Sequence, residues 1–134
     1  ARGRLLGGNL SLVTATLGTP YEINTRGVIL FLEEVNEQPY RIDRMLRQLW
    51  LAGKLQAAAG IVFGKFAGCE AADSEESFSL LEVLRETLEG IKVPCFYGLG
   101  AGHIALKATL PLGIKAEMDA GNCLLVISES ATIQ

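Results

Sequence analysis

Two largely apolar runs leave this chain few folds to choose from. Val28-Ile29-Leu30-Phe31-Leu32 and Gly60-Ile61-Val62-Phe63-Gly64-Lys65-Phe66 are rich in β-branched and aromatic residues and lack the strict alternation of a half-exposed strand. Strands of this kind are buried on both faces, the mark of a parallel sheet. The stretch between them predicts the crossover that such a sheet requires. Ile42, Met45, Leu46, Leu49 and Trp50 recur at helical spacing, with Arg41, Asp43, Arg44 and Arg47 on the other face. Asn36 is the expected cap, Pro39 falls in the first turn where its missing N–H costs little, and Gly53 is the expected stop.

The flanking segments extend the pattern. Ala1–Gly8 reads as a Gly- and Arg-rich opening segment. Asn9 then caps a helix over Leu10–Leu17 that Gly18 ends. Thr19-Pro20 and Asn24–Gly27 are turn chemistry, and Asp73–Ser77 reads as an acidic loop. Ser77 or Ser79 opens a second amphipathic helix with Leu80, Leu81, Leu84 and Leu88 inward and Gly90 after it. Val93–Tyr97 is a third strand leading into Gly98-Leu99-Gly100-Ala101-Gly102-His103. Gly113–Met118 and Asn122–Ile127 read as two strands joined by the turn Asp119-Ala120-Gly121. The order β-α-β-α-β, then a hairpin, predicts an α/β domain with right-handed parallel crossovers.

Length and charge exclude several classes. At 134 residues, with 49% apolar and 20% charged residues, the chain is a single domain able to bury a sizeable core. No apolar stretch approaches the ~20 residues of a membrane-spanning helix. The net charge is −3 without a basic cluster, so nucleic acid and anionic membrane are not expected partners. Three cysteines, Cys69, Cys95 and Cys123, stand far apart, with neither a disulfide framework nor zinc spacing; they read as free thiols in a reducing compartment. The chain opens Ala-Arg-Gly without Met or a signal peptide and reads as a piece of something longer.

In open α/β sheets chemistry collects at the carboxyl ends of the strands. Glu33 and Glu34 follow the first strand. His103, the only histidine, follows the third behind three glycines. A carboxylate that orients a histidine is two-thirds of a nucleophilic triad. The same residues also fit plainer roles, as solvated loop groups. The Gly-rich loop has His103 where a dinucleotide fingerprint needs Gly or Ala, and no phosphate-loop lysine is present. No metal or cofactor is expected. Cys95 falls inside a buried strand and reads as inert, and no serine lies on a G-x-S-x-G elbow.

Several blocks resemble the C-terminal domain of the LD-carboxypeptidases, the muramoyltetrapeptide carboxypeptidase family of serine peptidases. They are Gly7-Gly8-Asn9-Leu10-Ser11-Leu12, Gly18-Thr19-Pro20-Tyr21, the stretch Ile29–Leu46, Leu51-Ala52-Gly53, Gly60-Ile61-Val62, Gly102-His103 and Leu110-Pro111-Leu112-Gly113. The resemblance covers nearly the whole chain. It implies a swivelling β/β/α-type domain, residues 1–134, with crossover helices and a C-terminal hairpin. It implies that Glu33, with Glu34 as second choice, and His103 complete a triad with a serine on an N-terminal domain absent from this sequence. The implied reaction is cytoplasmic hydrolysis, without cofactor, of the amide to the terminal D-alanine of murein tetrapeptides; one branch of the family instead cuts a peptidyl-nucleotide amide and confers immunity to microcin C. The expected partners are the serine-bearing domain, the tetrapeptide and a second copy in a homodimer. The chain alone is expected to be inactive. Against this stand a non-catalytic binding or dimerisation module and, from the Gly-rich loop alone, a nucleotide-binding domain.

Overall fold

The computed structural model describes residues 1–71 and 77–132; apart from Ser77, the expected acidic loop lies outside them. The elements run β1 (Arg2–Asn9), α1 (Leu10–Ala15), β2 (Ile29–Val35), α2 (Pro39–Leu51), α3 (Lys54–Ala57), β3 (Gly60–Ala67), α4 (Leu80–Leu88), β4 (Cys95–Tyr97), β5 (Lys115–Asp119) and β6 (Leu124–Ile127). They form one six-stranded sheet in the order β4-β3-β2-β1-β5-β6. The first four strands are mutually parallel, and the β5–β6 hairpin joins β1 antiparallel. The expected α/β class, parallel crossovers and C-terminal hairpin are all present.

The sheet has two covered faces. Successive crossovers between neighbouring parallel strands turn the same way, which gathers the helices on one side. There Leu30, Leu32, Ile61 and Phe63 pack against Ile42, Leu46, Leu49 and Leu84. On the other side Leu5, Ile29, Phe31, Val62 and Phe96 pack under Ala101, Ala116 and Met118, contributed by β5 and the segment before it. Burial on both faces accounts for the continuous apolar runs.

Several boundaries differ from the sequence reading, each for a local reason. The opening segment is a strand in the middle of the sheet. Its glycines hide it from propensity, yet a Cβ at Gly7 would run into the Phe31 backbone, so the close approach of β1 to β2 selects glycine. β2 does not stop at Glu33-Glu34 but carries both to Val35, each buried. Gln38, not Asn36, occupies the cap position of α2. Asn36 takes a left-handed conformation (φ 56°) and donates its N–H to the Ala67 carbonyl at 2.8 Å. Gly53 ends α2 but also opens the short α3, which the periodicity did not reveal. Ser79, one of the two expected caps, closes a capping box with Glu82. Leu81 and Trp50 lie largely or partly in solvent, whereas Val83 and Thr87 take inward positions on α4.

The order of the strands dictates the next feature. β4 is an edge, and β5 lies beyond β1, so residues 98–114 must cross β3, β2 and β1 to connect them. This segment is pinned along its length. Gly98 donates to Phe63 O at 3.0 Å, Lys65 donates to Ala101 O at 2.9 Å, and Gly113 donates to Leu5 O at 2.7 Å.

Candidate functional site

The crossing segment brings its histidine to the carboxyl end of β2. His103 Nδ1 lies 2.8 Å from Glu33 Oε2, and the His103 backbone N–H donates to the same oxygen at 3.1 Å. A carboxylate only accepts, so Nδ1 carries the hydrogen and the neutral ring leaves Nε2 bare to take a proton. The Glu33 side chain is 5% exposed and the His103 side chain 56% exposed. The carboxylate is thus held inside, and the ring it orients reaches solvent.

Two glycines permit this approach. A Cβ on Gly102, whose φ is 123°, would stand 2.8 Å from Glu33 Oε2 and 3.1 Å from Lys65 O. A Cβ on Gly64 would stand 2.6 Å from Ala101 O and 2.8 Å from the Phe31 ring. An irregularity of register between β2 and β3, where Leu32 pairs Phe63 but Glu34 pairs Phe66, adds one residue to β3 beneath the loop. Gly64 and Lys65 occupy that step.

Glu34, the second-choice carboxylate, points the other way because adjacent strand residues face opposite sides of a sheet. It accepts from Asn9 Nδ2 at 2.6 Å, Ser11 N at 2.8 Å, Ser11 Oγ at 2.7 Å and Val35 N at 2.9 Å. Burial pushes its pKa up, but the donors from Ser11, Val35 and Asn9 outweigh it and leave the carboxyl below its ordinary value. Glu34 therefore locks the turn from β1 into α1 to the end of β2. This role was invisible in the sequence, where Asn9 and Ser11 lie 25 and 23 residues away.

A cavity of about 240 Å³ opens beside the pair. Phe31, Ala101, Ala108, Leu110 and Leu112 supply its apolar wall, and Lys107 stands with His103 at its polar side. Among the described residues no hydroxyl or thiol lines it. Cys95 belongs to the helix-side core, and burial pushes its thiol pKa up, so it offers His103 no nucleophile. Among the described residues no group of three or more His, Cys, Asp or Glu side chains gathers as metal ligands would. No helix among them is long and apolar enough to cross a membrane.

Comparison with known proteins gives a consistent result. Residues 2–118 match the family model described as LD-carboxypeptidase C-terminal domain. A "Probable murein peptide carboxypeptidase" of Bacillus subtilis (strain 168) is 46% identical over 127 residues, covering 95% of this chain and 40% of its own length. The crystal structure of muramoyltetrapeptide carboxypeptidase from Oxalobacter formigenes superposes with a TM-score of 0.80 at 32% identity, over 98% of this chain and 43% of that one. The microcin C7 self-immunity protein MccF superposes with a TM-score of 0.86 at 30% identity, over 98% and 39%. The chain therefore spans about two-fifths of the length of these relatives.

Proposed function

We propose, for a chain that belongs to the family of LD-carboxypeptidase C-terminal domains, that it supplies the general base of a serine-type carboxypeptidase and the carboxylate that orients it. The observation that carries this reading is the buried Glu33 carboxylate fixing the Nδ1 of a half-exposed histidine. The nucleophilic serine and the oxyanion donors belong, on this reading, to a domain joined to this one in the full-length protein. His103 Nε2 takes the serine proton as the hydroxyl oxygen attacks the scissile carbonyl. Glu33 stabilises the imidazolium, and the same proton passes to the departing amine. Water then repeats the sequence on the acyl-enzyme: His103 takes its proton, the new acid is released and the serine is restored.

The bond cut is the amide to the terminal D-alanine of a murein tetrapeptide, and the setting is cytoplasmic murein recycling. The names of the B. subtilis and O. formigenes relatives support this substrate. A second reading, cleavage of a peptidyl-nucleotide amide, draws support from the structural overlap with MccF. The higher identity to the murein relative favours the first.

The test is D-alanine release from a murein tetrapeptide by the full-length protein. His103→Ala should lower kcat by about 10⁴–10⁶, and Glu33→Ala by somewhat less, with KM little changed. Near-normal turnover by His103→Ala would remove the histidine from the mechanism. Cleavage of an aminoacyl sulfamoyl adenosine in place of the tetrapeptide would select the second reading.

A further inference from the structure

The cavity beside His103 has more specificity built into it than proton transfer requires. Its volume of about 240 Å³ admits one small residue rather than a glycan-bearing peptide, and its wall of Phe31, Ala108, Leu110 and Leu112 suits a methyl-sized side chain. Among the described residues Lys107 is the one fixed cation lining it. Among the described residues Lys107 makes no ion pair, which leaves its ammonium available to a carboxylate from outside the chain. The loop that carries Lys107 is closed on itself, with the Ala108 N–H on the Gly100 carbonyl at 2.7 Å and the Ile104 N–H on the Gly102 carbonyl at 3.0 Å. The lysine is thus held in the same closed turn as the histidine, four positions away.

We propose that this cavity is the subsite for the departing C-terminal residue, with Lys107 taking its free carboxylate and the Phe31–Leu112 wall taking its methyl group. The inference rests on the carboxypeptidase reading above and names the residue that makes the enzyme select a chain end. An enzyme that removes only a terminal residue must tell a carboxylate from a further peptide bond. A cation beside the histidine, at the polar side of a small apolar pocket, does so, since an uncharged amide leaves the ammonium without its partner. Lys107 is a specificity residue here: it holds ground state and transition state alike, so its loss shows in KM rather than kcat.

The experiment pairs residue and substrate in the full-length protein. Lys107→Met should raise KM for the tetrapeptide by about tenfold or more, the loss of one charge-assisted hydrogen bond, with kcat within about threefold of wild type. Lys107→Arg should recover most of that loss. The wild type should prefer the acid to the same peptide ending in D-alaninamide by a similar factor, and Lys107→Met should treat the two alike, because the two deletions remove one interaction. Binding of N-acetyl-D-alanine, followed by calorimetry, gives a readout independent of turnover and should weaken in Lys107→Met. Unchanged KM and unchanged acid preference in Lys107→Met, with D-alanine still released, would overturn the subsite and leave the function standing. Absence of D-alanine release, with Lys107-dependent binding of N-acetyl-D-alanine retained, would overturn the function and support the subsite.

Discussion

Four donors fill the two oxygens of Glu34, from Asn9, Val35 and Ser11 twice over. A glutamine can accept at only one of those oxygens and would turn its NH₂ toward donors at the other. Glu34→Gln should therefore destabilise the domain by about 2–4 kcal/mol, read from denaturant unfolding. The sign of the pH effect follows from the lowered pKa. The carboxylate stabilises the fold fully above its unfolded value, and that stability is lost as pH falls through the lower folded value. The stability of the wild type should fall as pH drops through and below the ordinary carboxylate range, and that of Glu34→Gln should fall less over the same interval. A variant as stable as wild type at neutral pH would mean that the four hydrogen bonds exchange for water at no cost. At this scale the strand pattern showed two adjacent carboxylates at a strand end and only the family resemblance ranked Glu33 first, because both faces of β2 are buried and polarity alone reads as exposure. What separates them is three-dimensional: Glu33 meets a partner 70 residues away, and Glu34 meets donors of the preceding strand and helix.

Among the elements, α2 is the most fully legible. Its period places Ile42, Met45, Leu46 and Leu49 on the sheet, and all four are buried. Leu46→Ala deletes a fully buried side chain from the helix-side core and should cost about 2–5 kcal/mol in chemical denaturation. A cost below about 0.5 kcal/mol would mean that the helix lifts from the sheet in solution. Elements that were missed or shortened share a cause. β1 is made of arginine, leucine and glycine up to its closing Asn9, and it is a strand because β2 and β5 pair with it on both sides, not because its residues prefer extended backbone. The third strand was expected over Val93–Tyr97 but pairs only through Cys95–Tyr97, since its ladder to β3 covers just Ile61, Val62 and Phe63. Periodicity reports which residues are buried, and pairing decides where a strand begins and ends.

For the whole molecule the decisive step is the crossing of residues 98–114 over the sheet, which follows from strand order and from no local signal. It explains why the Gly98–Gly102 loop resembled a phosphate cradle yet serves as a close-packed bridge: two of the glycines along its path, Gly64 and Gly102, are places where a side chain would strike backbone or Glu33. It also bears on what the 134-residue chain does by itself. Both faces of its sheet carry buried apolar clusters, so the chain should fold alone and unfold in a single thermal transition, followed by circular dichroism. Folded, it should still release no D-alanine from a tetrapeptide at concentrations where the full-length protein turns over readily. His103 can accept a proton, but among the described residues the cavity beside it contains no hydroxyl or thiol to give one up, and Ser11 is engaged with Glu34 on the opposite side of the sheet. A proton acceptor without a nucleophile, and without donors for the tetrahedral oxygen, leaves the barrier to acyl transfer largely intact. Turnover by the isolated, folded chain would place the nucleophile within these residues and require a different partner for His103. A folded but silent chain, beside an active full-length protein, is the result expected if the chemistry is divided between two domains.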